Sequence, residues 1–415
     1  MSYKYSLPKK GETAQNILKH IEDFKKKEPD RNKAYMGAYC MIGSPEIQEL
    51  MEQAYQRYFF ENALVRRYFP GLRQMEDDIK EIAAGILSGG TDGIKVNITS
   101  GGTESLFCAM HAAREWARDR FPHIKEPEFI GPYSAHATIT KSCHYLGMKL
   151  TRIPVGADFR ADAKAMEAAI GPNTIGLLGS APSWPYGKVD PMTDIAAVGQ
   201  KHGLWVHVDA CVGGYFAPWA KRLGYKFPDW DFSVPGVTSI SADLHKYGYA
   251  PKPISTIAWR SEEYQKYHGV YPTEWPSQQY IAEGLVGSRS GGVLAAAWAV
   301  LHFLGEDGYM DYTRRTMETK KKLIDGLIKL GMKPLDTDLC LILYESPEFP
   351  AEAVVGAMTQ RGWTCMGTQR PPLIQLVLDP MAERIADNYL SELAEVVKEL
   401  RAGKQGKKGE LGYAD

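Results

Sequence analysis

Short runs of apolar, often β-branched residues recur through the middle of the chain, at 128–133, 150–155, 174–178, 204–208, 238–242 and 254–259. Helix-length stretches separate most of them. That alternation predicts a mainly parallel sheet with helices on both faces, an α/β architecture. The runs 238–242 and 254–259 stand too close for a crossover helix, so this pair is expected to be antiparallel. From about residue 306 the pattern changes. A helical pattern covers 309–330, apolar runs fall at 339–345 and 373–378, and helical patterns return at 351–361 and 383–401. This predicts a compact α+β unit. The expected organisation is a helical arm over 1–60, a large domain over 61–305, a small domain over 306–402 and a mobile tail over 403–415.

Composition narrows the function classes. The 415 residues carry a formal net charge of −1, so no overall field would draw in nucleic acid or an anionic membrane. No apolar run reaches the ~18 residues that span a bilayer, and the start has no signal-peptide core. The expectation is a cytoplasmic protein. The six cysteines are scattered without a C-x-x-C pair, which speaks against a disulfide framework or a four-cysteine metal site.

Four stretches offer chemistry. In ITSGGTESLFCAMHAAREWA (98–117), Leu106, Phe107, Met110, Ala113 and Ala117 follow helical spacing. Gly101, Gly102 and Thr103 would then open a helix, where exposed N–H groups and the dipole favour an anion. From this stretch alone, a tight strand-to-helix turn with no ligand is the favoured reading. In LWVHVDACVGG (204–214), Asp209 ends an apolar run. A carboxylate there needs a cationic partner such as a protonated ring nitrogen, or caps a helix. In SISADLHKYGYAP (239–251), His245 and Lys246 follow a strand-like run. Desolvation can leave such a lysine partly neutral near neutral pH, ready to attack an aldehyde; a surface lysine is the alternative. In GPYSAHATITKSCHYLG (131–147), His136 begins a helix and is placed to lie on an aromatic ring or to cap that helix, while His144 reads as structural. The order carries more than any member. Anion cup, ring-facing imidazole, carboxylate and lysine fall at strand-to-helix edges, where open parallel sheets gather ligands. Pyridoxal 5'-phosphate offers a partner to each.

The stretches YFPGLRQMEDDI (68–79), TSGGTES (99–105), SAHA (134–137), HVDACVGGY (207–215), VTSISADLHKYGYAPK (237–252) and GSRSGGVLAAAWAVL (287–301) resemble the sphingosine-1-phosphate lyase family, within the pyridoxal-phosphate decarboxylases. The resemblance implies a fold-type I, aspartate aminotransferase-like enzyme working as a homodimer with shared sites. It implies that Lys246 carries the cofactor as a Schiff base with His245 near its phosphate. Asp209 would hold the ring nitrogen's proton, His136 would stack on the ring, and Gly101, Gly102 and Thr103 would bind the phosphate. Ser288 would reach the neighbouring subunit's cofactor. Lys252 would sit near a substrate phosphate, and Tyr413 would fold over the site.

Two departures stand out. Val65 occupies a position where the family has a histidine near the substrate, with Arg66 and Arg67 following as candidate anion ligands, and Pro253 follows Lys252. The membrane anchor of eukaryotic relatives is not seen, which suits a bacterial-type member. The leading expectation is retro-aldol cleavage of a phosphorylated or otherwise anionic amino alcohol. The alternative is an amino-acid decarboxylase, and a third reading is a silent paralogue that only binds partners. Trp184, Tyr186 and Trp275 read as loop-packing residues more readily than as the walls of a channel.

Overall fold

A computed structural model of the chain describes residues 9–30, 43–277 and 282–404, together with positions 7, 36, 41, 280, 409 and 411. Eleven strands among these residues form two sheets. The first comprises β1 (Lys95–Thr99), β2 (Glu128–Pro132), β3 (Lys149–Ile153), β4 (Thr174–Ser180), β5 (Trp205–Asp209), β6 (Ser239–Ala242) and β7 (Ser255–Trp259), in the order β1-β7-β6-β5-β4-β2-β3. Strands β3, β2, β4, β5 and β6 run parallel, and β7 is antiparallel to both β6 and β1. The α/β expectation holds, and the close pair β6–β7 is antiparallel as its short connection requires.

Why these residues make strands follows from their surroundings. Every residue of β2, β4, β5, β6 and β7 is buried, because helices cover both faces, so the runs are largely apolar, with polar members such as His207 and Ser239 hydrogen-bonded inside. The helix Gly102–Arg120 turns Leu106, Ala109, Met110, Ala113, Trp116 and Ala117 inward, the i, i+3, i+4, i+7 stripe of a core-facing helix. Trp116 meets Trp205 edge-on at 5.8 Å, and Trp205 meets Trp259 at 6.2 Å, so helix and sheet lock through three indoles.

A helix over Gly291–Lys329 carries the chain to the second sheet and breaks at Gly305, whose φ is 52°. It is longer than the sequence pattern suggests. Packing against the helix Pro45–Arg57 covers its early turns, with Gly291 and Gly292 pressed on the backbone of Tyr55, Tyr58 and Glu61. The second sheet has β8 (Lys333–Pro334), β9 (Leu341–Glu345), β10 (Met366–Gln369) and β11 (Pro372–Val377), all antiparallel in the order β10-β11-β9-β8. The helices Ala351–Gln360 and Ala382–Arg401 bury Val354, Met358, Tyr389 and Leu393 against it. No helix among the described residues is long and apolar enough to cross a membrane.

Candidate active site

Parallel strands point their carboxyl ends the same way, and five such ends converge on one cavity of about 450 Å³. Ser100–Gly102 follow β1, His136 follows β2, Pro182 and Trp184 follow β4, Asp209 ends β5, and Asp243–Lys246 follow β6. Of the sequence-derived candidates, Gly101, Gly102, Thr103, His136, Asp209, His245, Lys246 and Lys252 all line this cavity.

Lys246 belongs to a buried ionic cluster. Its Nζ lies 3.0 Å from Asp243 Oδ2, and His245 Nε2 lies 3.6 Å from the same oxygen. The lysine side chain keeps 17% exposure and the aspartate only 2%. Burial pushes the Lys246 amine down, yet the Asp243 carboxylate outweighs it, aided by Cys211 and Asp209, and the amine's pKa lies above the ordinary lysine value. This corrects the expectation of a partly neutral amine: without a bound aldehyde Lys246 is held as an ammonium. Burial would raise Asp243, but Lys246, His245 and the Ser255 hydroxyl together hold its carboxyl below the usual range. A chain of hydroxyls fixes that carboxylate. Ser255 Oγ donates to Asp243 Oδ1 at 2.5 Å, Ser105 Oγ meets Ser255 Oγ at 3.0 Å, and Thr99 Oγ1 meets Ser105 Oγ at 2.6 Å.

Asp209 presents a carboxylate from the end of β5. Its Oδ1 accepts the Cys211 N–H at 3.1 Å and the Ser241 hydroxyl at 3.5 Å, while Oδ2 takes no hydrogen bond among the described residues. Behind it, fully buried His207 contacts Ser239 Oγ through Nδ1 at 2.8 Å and Ser241 Oγ through Nε2 at 3.4 Å. Burial lowers the His207 pKa to about 4, against a partial rise from Asp209, so this imidazole is neutral at neutral pH. His136 is the N-cap of the helix Ala137–Tyr145, and its Nδ1 accepts the Thr138 N–H at 3.2 Å. Burial holds its pKa below the ordinary value, with Asp209 opposing. Arg152 steadies the turn before His136 by donating to the carbonyls of Tyr133 at 3.1 Å and Ala135 at 2.8 Å.

The cup is shaped by what it lacks. A Cβ on Gly102 would stand 2.9 Å from both Asp243 oxygens and from Cys211 Sγ, so only glycine lets the helix start come this close. A flat aldehyde cofactor with a phosphate fits these residues. Backbone N–H groups are present for the phosphate, a lysine for the aldehyde, an imidazole for the ring face and an open carboxylate oxygen for the ring nitrogen.

Other candidates lie outside the cavity of this chain. Ser288 is exposed, accepts from Asn62 Nδ2 at 2.9 Å, and lines a separate pocket of about 140 Å³. Arg66 pairs with Asp77 and lies 3.2 Å from Glu76, which also binds Arg289 at 2.7 Å. Arg67 lies over the Tyr68 ring at 4.7 Å. Tyr413 falls outside the described residues. Trp184 lines the cavity, whereas Tyr186 is buried, donating to the Arg370 carbonyl at 2.6 Å, and Trp275 is exposed. The sequence sets Asp243 among the polar neighbours of Lys246 without a role of its own, and it does not single out Glu104. Asp243, three residues before Lys246, carried a local signal. Glu104 carried none, since two of its partners are some 180 residues away.

The profile of the pyridoxal-dependent decarboxylase conserved domain matches residues 77–338. The sphingosine-1-phosphate lyase of Arabidopsis thaliana is 36% identical, over 95% of this chain and 74% of that protein. The probable L-aspartate decarboxylase of Pyrococcus abyssi is 30% identical, over 94% of this chain and 99% of that protein. The solved structure of the Burkholderia pseudomallei sphingosine-1-phosphate lyase superposes with a TM-score of 0.91 at 32% identity, covering 97% of this chain and 94% of that one.

Proposed function

We propose, since the chain belongs to the pyridoxal-dependent decarboxylase family and within it to the sphingosine-1-phosphate lyases, that it cleaves a sphingoid base phosphate to a long-chain aldehyde and phosphoethanolamine. Pyridoxal phosphate is its cofactor, and when bound it supplies an aldehyde for an amine and a ring that accepts electrons from a breaking bond. The observation that carries the reading is the meeting of the Gly101–Gly102–Thr103 cup, Asp209 and Lys246 in one cavity.

Each side chain has a task that its surroundings support. The N–H groups at the start of the helix Gly102–Arg120 hold the cofactor phosphate, aided by the helix dipole. Asp209 keeps its unengaged Oδ2 toward the ring nitrogen and holds a proton there. His136, steadied through Arg152, covers one ring face. Lys246 Nζ would release its proton to cavity water before it met an aldehyde, against the pull of the Asp243 carboxylate 3.0 Å away, which favours the ammonium. The same Nζ, on the cavity wall, would then hold the proton to be returned to the substrate α-carbon. Lys252, at the exposed rim of the cavity, takes a second anion, the phosphate of the substrate. Leu106, Pro182, Trp184 and Val212 supply the apolar part of the wall.

A homodimer completes the proposal. Ser288 is exposed and does not line its own cavity, and apolar side chains stand exposed on neighbouring segments, among them Phe60 at 91% and Leu285 at 63%. A second copy covering them would bring Ser288 to the other cofactor.

The test is a parallel assay of purified protein supplied with pyridoxal phosphate, using Lys246→Ala as the blank. Sphinganine 1-phosphate should yield aldehyde and phosphoethanolamine. Carbon dioxide from simple amino acids with no aldehyde would move the chain to the decarboxylase reading, which its similarity to the Pyrococcus protein favours.

A further inference from the structure

Glu104 is a buried carboxylate at 5% exposure in the first turn of the helix Gly102–Arg120, on the cavity wall. Among the described residues, all its hydrogen bonds come from backbone N–H groups. Oε2 accepts from Ser100 at 2.6 Å; Oε1 accepts from Leu285 at 2.7 Å and from Val286 at 3.2 Å. No described lysine or arginine pairs with it. A lone buried carboxylate is costly to keep, so its surroundings must engage it fully. It is also tightly enclosed: a Cβ on Gly284 would stand 2.7 Å from Oε1.

The two segments have different duties. Ser100–Thr103 form the cup, and 284–286 lead within two residues to Ser288. One carboxylate therefore clasps the cup to the strand of chain that carries Ser288. We propose that Glu104 is a positioning residue for the cofactor phosphate: it sets the cup by anchoring the Ser100 N–H, and it makes that setting depend on the seat of the 284–288 segment. This rests on the reading that the cup holds the phosphate of pyridoxal phosphate.

Glu104→Gln separates the two arms. Its amide oxygen can still accept from Leu285 and Val286, but its NH₂ then faces the Ser100 N–H, donor against donor. Gly284→Ala strikes the other arm, changing no charge and touching no cup residue. Cofactor-free protein is titrated with pyridoxal phosphate, reading visible absorbance, and the phosphorus resonance of the bound cofactor is recorded. Glu104→Gln should weaken binding about tenfold, the effect of one buried N–H left without an acceptor, and shift the resonance. Gly284→Ala should weaken binding in the same direction. The double variant should bind no worse than the weaker single one, because both break one clasp. A carboxylate that merely complements the helix dipole would leave Gly284→Ala at wild-type affinity with an unmoved resonance, and that result overturns the proposal. So does a double variant whose losses multiply. Wild-type protein that takes up no pyridoxal phosphate sinks the cofactor site itself, whereas wild-type uptake with unchanged variants sinks only the clasp.

Discussion

Replacing Asp243 by Asn probes the electrostatics of the site without touching any group assigned to the cofactor ring. In the native chain Lys246 Nζ stands 3.0 Å from a carboxylate at 2% exposure. Removing one partner of a buried ion pair costs about 3 to 5 kcal/mol. The lysine's partial exposure places the expected loss at the low end, about 3 kcal/mol at neutral pH. The pH dependence is more discriminating. Lys246 has its pKa raised above 10.5, so its contribution is fully present below that value and is lost as pH rises through the folded value. Asp243 is lowered below 3.8, so its contribution is present above that value and is lost as pH falls through the folded one. Between these limits the native pair contributes a constant amount. In Asp243→Asn, burial becomes the dominant influence on Lys246 and pulls its pKa below that of the unfolded chain. The unfolded state then binds more protons over that window, and the variant gains stability as pH rises. Urea denaturation of cofactor-free protein from about pH 6 to about pH 10 should therefore show a gap that narrows with rising pH. A gap of constant size, or none, would refute the account of Lys246 as an ammonium held by Asp243.

Two further outcomes follow from buried titratable groups. His207 has its pKa lowered to about 4, so folding excludes its proton, and stability should fall as pH drops from about 6.5 towards 4. His207→Asn should flatten part of the thermal-melt profile over that window, leaving the shares of His268, which burial also lowers to about 4, and of His111, His136 and His245, which burial likewise lowers. Glu76, at 1% exposure, lies within 3.6 Å of Lys80, 3.2 Å of Arg66 and 2.7 Å of Arg289. Glu76→Gln should cost about 3 kcal/mol in denaturant titrations, since three cations lose a shared carboxylate, and a cost near zero would show the cluster to be solvent-screened.

Strands β4 and β5 were legible because burial on both faces favours largely apolar runs bounded by turn residues. Strand β1, KVNIT, was not singled out. Asn97 interrupts its apolar character, yet it is buried because the Trp259 indole N–H donates to its Oδ1 at 2.8 Å and its own amide donates to Glu283 at 2.8 Å. Those partners lie 162 and 186 residues away, so only the folded chain makes Asn97 a core residue. The helix Gly291–Lys329 was recognised from 309 onward and not from its start. Two glycines there have poor helix propensity, and what holds them is close packing on Tyr55 and Glu61. Tertiary contact overrode local preference in both cases.

The candidate site was legible to the extent that its members follow strands in order, which is how Lys246, Asp209, His136 and the glycine cup could be placed together. Partners could not be read in the same way. Arg66 and Arg67 looked like an anion grip, yet Glu76 and Asp77, ten and eleven residues on, engage Arg66. The MEDDI stretch was in plain view, but the bend that folds it back was not. A consequence for phosphate binding follows from the charges that do reach the cavity. Its wall carries Glu104, Asp209 and Asp243 against Lys246 and Lys252, and Asp243 already engages Lys246. Carboxylates outnumber lysines, so charge alone cannot hold a cofactor phosphate there. The grip falls to the N–H groups at the helix start, which glycine at 102 lets come close. Ser288, exposed and two residues beyond the Val286 N–H that Glu104 accepts, is the residue the proposed homodimer would add to that grip.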